Sequence, residues 1–356
     1  MDQQNVINPL LNPARKYRVV QWATGNVGTG ALRAIIQHPN LTLVGVWVHS
    51  EAKAGRDAGE LCGLGPVGVT ATRDIDEIIA LKPDCIVYMQ EGFNFDDVCK
   101  LLASGANIVT SRWEINSPTT LDPALRERVE EACRRGGTSI HGSGASPGFI
   151  TEALPLVLLS LQRRLDCLTI DEFADLSSRN SPELLFDVVG FGKPPGAVNE
   201  HMLAFAKGTF SPSLSFLANA ISMPLDTIEV SGEFATARHK TEIAAGVLEA
   251  GTVAAQRITI SGMRGGRPLL RMRTNWYCTT DVEPSLNLRE TGWRVLLEGD
   301  APLDIDIRFP VPLEEWAAVS PGLTAHRPIN AIPYVCAAAP GIRTTADLPP
   351  IIAMLG

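Results

Sequence analysis

The chain has 356 residues with 31 basic and 39 acidic side chains, so its formal net charge at pH 7 is −8. Hydrophobic residues make up 45% of the chain and charged residues 20%, which excludes disorder for the bulk of the chain. The length favours two domains or one domain with a large insertion, because a single core rarely grows beyond about 250–300 residues. The acidic balance, without any run of Lys or Arg, argues against nucleic acid and a membrane surface as partners.

The first 150 residues alternate predicted strands and helices. Residues 1–16 are predicted to form a solvated or partner-clasping arm. The pattern then predicts strands over 17–22, 41–49, 85–89, 106–110 and 139–142. Between these strands it predicts helices over 29–37, 74–81, 95–104 and 123–135. The alternation is typical of an α/β fold, and we expect a doubly wound parallel sheet of the Rossmann type over residues 1–150.

The pattern changes after residue 150. A long apolar helix is predicted over 150–161. Longer strands are predicted over 167–175, 227–236, 247–263, 267–276 and 293–309. Consecutive glycines permit positive φ, so residues 262–267 are predicted to form a hairpin tip. We expect an inserted α+β domain with a mostly antiparallel sheet over 151–322, while residues 323–356, helical and apolar through 329–339, complete the Rossmann domain.

The turn after the first strand reads A-T-G-N-V-G over 23–28, a variant of the G-x-G-x-x-G fingerprint of dinucleotide sites. Glycine lets the backbone approach a pyrophosphate, and the following helix offers free N–H groups. The fingerprint is weak alone, but its place between a strand and a helix makes it specific. The alternative is a glycine turn that serves helix packing only. We predict cofactor binding at Thr24, Gly25, Asn26, Val27 and Gly28.

The residues that follow the second strand indicate whether a site of this kind binds NAD or NADP. Sites for NAD place a carboxylate there, on the ribose hydroxyls. Here the strand is followed by groups that suit a 2′-phosphate, because they supply donors and positive charge: His49, Ser50, Lys53 and Arg56. NADP is therefore the expected cofactor. Because Glu51 also follows this strand, NAD remains an alternative cofactor. An ordinary solvated loop is the alternative explanation for Lys53 and Arg56.

Residues just past the other parallel strands are candidates for the reacting centre, because ligands lie outside the carboxyl ends of such strands. Met89 and Gln90 follow one strand, and Thr110 ends the next. Ser146 and Pro147 lie in a turn after the strand at 139–142, well shaped to place backbone amides near a nicotinamide. We predict that these five residues contact the cofactor.

Glu114, four residues beyond Thr110 and beside Trp113, is the candidate for acid–base or cation-stabilising chemistry. The alternative is a solvent-facing loop glutamate. None of the four tyrosines has Lys four residues later, which excludes the Tyr-x-x-x-Lys pair of short-chain reductases. His141 is a further candidate acid, although a buried structural histidine at a strand end is the favoured interpretation.

The cysteines and histidines give no sign of a metal site. The seven cysteines include no C-x-x-C pair, and the six histidines have no paired ligand spacing. Most of these cysteines lie beside aliphatic residues, which indicates a reducing compartment. The most apolar stretch is shorter than the roughly 20 residues that a bilayer requires, and the N-terminus lacks the apolar region of a secretory signal. We expect a cytoplasmic protein without a bound metal.

Seven segments carry further motifs. They are V-V-Q-W-A-T-G-N-V-G (19–28), V-G-V-W-V-H-S (44–50), G-R-D-A-G-E-L (55–61), S-P-G-F (146–149), E-F-A-D-L-S (172–177), G-F-G (190–192) and N-A-I-P-x-V-C (330–336). Together they resemble the 2,4-diaminopentanoate dehydrogenase family, which includes the native NAD(P)H-dependent amine dehydrogenases. True dihydrodipicolinate reductases carry an H-H-x-x-K-x-D-x-P-S-G segment that this chain lacks, which argues against that activity.

The resemblance implies a Rossmann domain, a substrate domain that forms a homodimer through its sheet, and a catalytic glutamate after the fifth strand, which matches Glu114. Asn330, in the last motif, is assigned to cofactor binding. The chain departs from the family at Ser146, where relatives often have Asn, and at Arg179, where some have an aromatic residue. Both departures leave the substrate range open.

The predicted reaction is reductive amination of a small ketone or aldehyde with ammonia, together with the reverse oxidative deamination of an amine. NADPH delivers hydride to an iminium carbon, and Glu114 binds ammonium, accepts a proton and stabilises the iminium. A mainly apolar substrate pocket is expected from Trp113, Phe149, Phe173 and Leu176. Two alternatives remain: a carbonyl reductase in which Glu114 protonates the alkoxide, and a non-catalytic NADPH-binding sensor.

Overall fold

The computed structural model describes residues 15–196 and 200–355, so the predicted arm lies outside the described residues except for Arg15 and Lys16. The chain divides into two compact units. The first runs up to Phe149 and resumes at Ser320, and the second spans Ile150–Val319. No helix in the two described ranges is both long and apolar enough to cross a bilayer.

Strands and α-helices alternate through the first unit, whereas strands dominate the second. The strands are β1 Tyr17–Trp22, β2 Leu41–Trp47, β3 Ala71–Thr72, β4 Cys85–Tyr88, β5 Asn107–Thr110, β6 Ser139–Gly142, β7 Leu165–Asp175, β8 Thr227–Ala237, β9 Thr241–Ile243, β10 Gly246–Leu248, β11 Val253–Arg264, β12 Arg267–Tyr277, β13 Val282–Glu283, β14 Gly292–Gly299, β15 Leu303–Arg308 and β16 Gly341–Arg343. The α-helices are α1 Asn26–Gln37, α2 Ala58–Leu61, α3 Ile75–Ala80, α4 Phe95–Ala103, α5 Pro123–Gly136, α6 Leu154–Leu159, α7 Glu200–Ala220 and α8 Leu313–Ala337.

The first unit is built on a sheet with the strand order β16-β6-β5-β4-β1-β2-β3. All neighbouring strands are parallel. The chain proceeds from β1 to β2 and β3 on one side and then places β4, β5 and β6 on the other, so the strand order reverses between β1 and β4. The predicted doubly wound parallel sheet is therefore confirmed, and its switch point lies at the carboxyl ends of β1 and β4.

Both faces of this sheet are covered by helices. Val20 and Ile86 belong to an apolar cluster that includes buried side chains of α3, α4 and α5. Val19 and Val87, which point to the opposite face, belong to a second cluster with α1 and α8. Strands buried on both faces are continuous apolar runs, which explains why the sequence pattern located them.

The second unit contains a seven-stranded sheet with the order β13-β8-β11-β12-β7-β14-β15. Only β7 and β12 pair in parallel, so the predicted mostly antiparallel sheet is confirmed. Gly265 and Gly266 join β11 to β12 with φ of +58° and +73°, which confirms the predicted hairpin tip. Helix α7 packs on β8, β11 and β12. Gly232 of β8 accommodates Leu203 of that helix, because an added Cβ would lie 3.1 Å from Leu203 Cδ2.

Several predicted elements in the second unit differ from the structure. The strands predicted over 247–263 and 293–309 are each interrupted by a turn, at 249–252 and at 300–302. The helix predicted over 150–161 is shorter in the structure. Its first residues belong to a kinked segment, Ala145–Ala153, and the regular α-helix is α6 alone. The sequence did not locate α7, which contains Gly208 and Pro212, two residues that disfavour a helix interior.

The C-terminal helix also differs from its prediction over 329–339, because α8 begins at Leu313. Pro321, Pro328 and Pro333 lie inside α8. Since proline lacks an N–H group and clashes with the preceding turn, such residues ordinarily indicate a helix end. Pro321 is buried and packs 3.8 Å from the position that a Cβ on Gly30 of α1 would occupy, so packing in the first unit overrides the local preference.

The pH dependence of stability is expected to reflect His141 of β6. Its Nδ1 donates to Arg343 O (2.7 Å), and burial lowers its pKa to about 4. In the unfolded chain the ring has its ordinary pKa of about 6.5, so it takes up a proton first. This contribution to stability is present above about pH 6.5 and is lost as the pH falls towards about 4, on the order of 2 kcal/mol between pH 7 and pH 5.

Urea unfolding at pH 7 and pH 5 checks this expectation. His141→Asn retains a donor for Arg343 O, so we expect a smaller stability difference between the two pH values than in the wild type. The exposed His239 serves as the control, and His239→Asn is expected to keep the wild-type difference. An undiminished difference in His141→Asn would contradict the assignment.

Candidate functional site

The glycine turn lies at the switch point of the parallel sheet, directly before α1. Ala23, which occupies the place of the first glycine of the fingerprint, adopts φ +70°, and Gln21 Nε2 donates to its carbonyl (2.7 Å). A Cβ on Gly28 would lie 2.3 Å from Ala23 O, so only glycine fits there. Gly25 is different, because no heavy atom lies within 4 Å of the place of its Cβ. Packing therefore accounts for Gly28, and Gly25 leaves open space for a ligand.

The N-terminus of α1 is free to bind an anion. Gly25 precedes the helix and supplies no side-chain cap, and the first turn contains no acidic residue. Asn26 is exposed and Val27 half-buried. Exposed N–H groups at a helix N-terminus, together with the helix dipole, favour a phosphate group. The residues of the turn thus fit the pyrophosphate of a dinucleotide.

Lys53 contacts the glycine turn. It ends a short 3₁₀ turn, Glu51–Lys53, that follows β2, and its Nζ donates to Thr24 O (2.7 Å) and to Thr24 Oγ1 (3.2 Å). His49, Ser50 and Arg56 are exposed. The structure therefore brings a positive charge to the glycine turn and leaves imidazole, hydroxyl and guanidinium groups accessible nearby in the chain.

The residues predicted at the ends of β4 and β5 have partners within the first unit. Thr110 Oγ1 donates to Tyr88 O (2.6 Å), and Ser111 Oγ donates to Met89 Sδ (3.2 Å). Trp22 Nε1 donates to Gln90 Oε1 (2.9 Å). These contacts join the carboxyl ends of β1, β4 and β5, so they shape the edge of the sheet at which a cofactor would lie.

The turn after β6 contains Ser146 and Pro147, joined by a cis peptide bond. Gly148 has φ +126°, and a Cβ there would lie 3.0 Å from Ser143 Oγ, so the turn requires glycine. Ser146 Oγ is buried and has no partner among the described residues. A buried hydroxyl without a partner is costly, which marks this oxygen as a group that a ligand or water would satisfy.

Helix α8 returns to this turn. Arg327 Nε donates to Ser143 Oγ (2.9 Å), and the guanidinium lies 5.8 Å from the centre of the Phe149 ring. Asn330 lies one turn further along the helix and is half-buried. Sequence reasoning missed Arg327, because its contact with Ser143 spans 184 residues and only the fold creates it.

Glu114 lies in the 3₁₀ turn Trp113–Ile115, which is separated from the end of β5 by two residues. Arg112 Nη2 donates to Glu114 Oε1 (2.5 Å), and Arg112 Nε donates to Oε2 (3.2 Å). The two side chains are 24% and 17% exposed, and Trp113 beside them is half-buried. The glutamate is therefore not a solvent-facing loop residue but a carboxylate held at both oxygens by one guanidinium. Sequence reasoning missed Arg112, although it stands only two residues away.

Phe173 and Leu176, the other two predicted pocket residues, belong to the second unit. Phe173 lies on β7 and is 7% exposed, and the Arg289 guanidinium stacks 4.6 Å from its ring centre. Leu176 packs against the apolar cluster beneath β8, β11 and β12. Arg289 also lines a cavity of about 590 Å³ whose walls include Asp175 and Trp316. The second unit thus contributes apolar side chains next to a cavity of the size that small ligands occupy.

The residues that hold metal ions in proteins are not grouped in the structure. Among residues 15–196 and 200–355, no three His, Cys, Asp or Glu side chains lie close enough together to hold a metal ion. The seven cysteines form no disulfide, and five of them are buried.

Known proteins resemble the chain over nearly its whole length. Residues 196–356 match the family model of the 2,4-diaminopentanoate dehydrogenase C-terminal domain, and residues 19–107 match that of the dihydrodipicolinate reductase N-terminus. An amine dehydrogenase from Streptomyces virginiae is 31% identical over 352 residues, which cover 95% of this chain and 98% of that protein. The 2,4-diaminopentanoate dehydrogenase of Acetoanaerobium sticklandii is 24% identical, with 96% of each chain covered.

A solved structure shows the same fold. The amine dehydrogenase from Mycobacterium smegmatis superimposes with a TM-score of 0.77 at 19% identity, and the match covers 96% of this chain and 98% of that one. At this identity the likeness concerns the fold alone.

Proposed function

Because this chain belongs to the amine dehydrogenase family that includes 2,4-diaminopentanoate dehydrogenase, we propose that it interconverts a small ketone or aldehyde and the corresponding primary amine, with ammonia as the nitrogen source. Reductive amination is the forward direction, and oxidative deamination is the reverse. The observation that carries the proposal is the Glu114 carboxylate, largely buried and held by Arg112 at the end of β5.

The chain is an oxidoreductase with a nicotinamide cofactor, and its own residues fit such a cofactor. Gly25 leaves space at the N-terminus of α1, and Lys53 brings a positive charge to the same turn. When bound, the reduced cofactor supplies the hydride. Ser146, in the turn after β6, has a buried hydroxyl oxygen available for the nicotinamide side of the ligand.

Glu114 has three tasks in the proposed reaction. Its carboxylate binds ammonium, and it accepts the proton that ammonium must lose before nitrogen attacks the carbonyl carbon. Glu114 then returns this proton to the carbinolamine hydroxyl, which leaves as water, and the restored negative charge stabilises the iminium cation that forms. Preorganised charges are most effective where water is scarce, and the Glu114 side chain is only 17% exposed. Trp113, Phe149, Phe173 and Leu176 are the proposed apolar lining, which suits small carbonyl compounds without a carboxylate.

The geometry favours amine formation over the two alternatives. An alcohol-forming reductase needs a proton for the developing alkoxide without ammonium to bring one, whereas both oxygens of Glu114 already accept hydrogen bonds from the Arg112 guanidinium. A sensor that binds NADPH without chemistry needs no half-buried charged pair at a strand end, where desolvation of the two charges is costly.

Glu114→Gln tests the proposal, because it keeps the size of the side chain and removes its charge. We expect the rate of amination to fall at least about 100-fold, the loss typical of a removed transition-state partner, while NADPH binding is retained. NADPH oxidation with a panel of ketones, with and without ammonia, measures the rate, and fluorescence titration measures binding. Glu127→Gln, in an exposed pair with Arg134, is the control and should keep wild-type activity. Amination by Glu114→Gln at the wild-type rate would rule out the role of this residue.

NADP is the proposed cofactor in preference to NAD. His49, Ser50 and Arg56 are exposed after β2, and the backbone of Arg56 is fixed by hydrogen bonds with Lys53 O (3.3 Å) and Ala71 N (2.9 Å). A guanidinium on a fixed backbone is well suited to a phosphate, which it binds through two parallel hydrogen bonds.

Arg56→Ala should therefore weaken the binding of NADPH and leave the binding of NADH nearly unchanged. We expect the dissociation constant for NADPH to rise about tenfold, as the loss of one charge-assisted contact predicts, with little change for NADH. Fluorescence titration with each cofactor provides both values. Arg73→Ala, which removes another exposed guanidinium of the same unit, is the matched control. An equal loss for NADH would contradict recognition of the 2′-phosphate.

A homodimer through the sheet of the second unit is also proposed. The face of this sheet opposite α7 carries alternating charges. Arg273 holds Asp171 through two hydrogen bonds (2.5 and 2.6 Å), and Arg294 holds Asp304 in the same way (2.8 and 2.6 Å). A patch that contains both signs of charge can pair with a copy of itself about a twofold axis.

Charge reversal tests this dimer. Arg294→Asp is expected to shift the protein towards the monomer at low salt, and Arg294→Asp with Asp304→Arg is expected to restore the dimer. Light scattering after gel filtration gives the molar mass. Arg163→Asp reverses a highly exposed charge elsewhere in the same unit and should leave the mass unchanged. A monomeric wild type, or a dimeric Arg294→Asp, would be inconsistent with this interface.

A further inference from the structure

The pair formed by Arg112 and Glu114 is more buried than the surface ion pairs of the first unit. Its side chains are 24% and 17% exposed. Surface pairs of the first unit, such as Arg128 with Asp96 and Arg134 with Glu127, have side chains that are 50% or more exposed. Since screening by water and salt weakens with burial, the guanidinium acts on this carboxylate more strongly than surface partners act on each other.

The backbone that carries Arg112 is fixed from two sides. Thr110 Oγ1 donates to Tyr88 O on β4 (2.6 Å) and accepts from Arg112 N (3.1 Å). On the other side, Gly142 at the end of β6 touches the same turn, because a Cβ there would lie 2.9 Å from Arg112 O and 2.5 Å from Asn116 Oδ1. The guanidinium therefore reaches Glu114 from a rigid base, and its position does not depend on a flexible loop.

The titratable groups on the neighbouring strands are neutral near pH 7. The side chain of Tyr88 on β4 interacts electrostatically with both Arg112 and Glu114, and burial raises its pKa above the ordinary value. His141 of β6 has its pKa lowered to about 4 by burial, and its Nδ1 is engaged with Arg343 O. Arg112 is thus the charged group that contacts Glu114 in the described part of the first unit.

We propose that Arg112 is a positioning residue that holds Glu114 as an oriented carboxylate and thereby directs the reaction to the amine instead of the alcohol. This inference rests on the proposed function. A carbonyl that receives hydride also needs a proton on its oxygen to become an alcohol. In the amine route the proton comes with ammonium: Glu114 takes it, returns it to the hydroxyl that leaves as water, and faces the iminium as a carboxylate when hydride arrives. An oriented carboxylate supports this route, whereas the alcohol route has no ammonium to supply the proton.

Product analysis of Arg112→Ala tests this role. The full-length variant is incubated with a ketone, NADPH and ammonia, and both amine and alcohol are quantified by gas chromatography. We expect amine formation to fall about tenfold or more, because the carboxylate loses its orientation, and the fraction of alcohol among the products to rise. Arg112→Lys restores a positive charge without the two-pronged contact, so its product ratio should lie between those of Arg112→Ala and the wild type.

Three measurements separate a positioning role from a general loss of structure. Arg134→Ala removes a surface guanidinium of the same unit and should keep the wild-type product ratio. NADPH affinity and the melting temperature of Arg112→Ala should remain close to wild type. An equal fall of amine and alcohol formation, unchanged amination, or a fall of amination without any gain in the alcohol fraction would overturn the proposal. If the wild type forms no amine, or if Glu114→Gln retains amination, the proposed function itself fails.

Discussion

The reversal of strand order between β1 and β4 is the constraint on which the first unit depends. Parallel strands that diverge at this point leave a crevice at their carboxyl ends, and the groups assigned to cofactor or chemistry in this unit follow such ends, apart from Asn330 of α8. The close approach of α1 to β1 makes the crevice possible. Gly28 permits it, because any side chain there would meet the carbonyl of Ala23. The free helix N-terminus, Lys53 and the Glu114 turn are then arranged along one edge of the sheet.

The large sheets of the two units have seven strands each but bury their faces in different ways. In the first unit, both faces of the sheet are apolar and are covered by helices. The polar groups available to bind a ligand therefore lie at the carboxyl ends of the strands. In the second, α7 covers one face and the other carries ion pairs, such as Asp171 with Arg273. Asp171 is only 3% exposed, so its partner is needed to compensate a desolvated charge. A polar face of this kind remains compatible with water and is the surface of the proposed dimer.

The family, the fold class and most strands of the first unit could be predicted from the sequence, since doubly buried strands and the glycine turn have strong local signals. The comparisons confirm the family. Elements whose local signals conflict with packing could not be predicted. Helix α7 contains Pro212 and α8 begins before Pro321, and in both the tertiary contacts outweigh the preference of proline. In the site, the strand-end rule located Glu114. The contact with Arg112 depends on the 3₁₀ geometry of residues 113–115, which no periodicity reveals.

The balance of charge around Glu114 connects the fold with the chemistry. A lone carboxylate in a half-buried position would attract ammonium strongly in the ground state, and tight binding of the reactant does not accelerate a reaction. With Arg112 on one side, the negative charge is already partly neutralised, so the net attraction for a distant cation is small. In the proposed reaction the iminium would lie next to the carboxylate, and attraction between opposite charges is strongest at short range. The proposed mechanism thus reserves the stabilisation by this pair for the step in which positive charge develops.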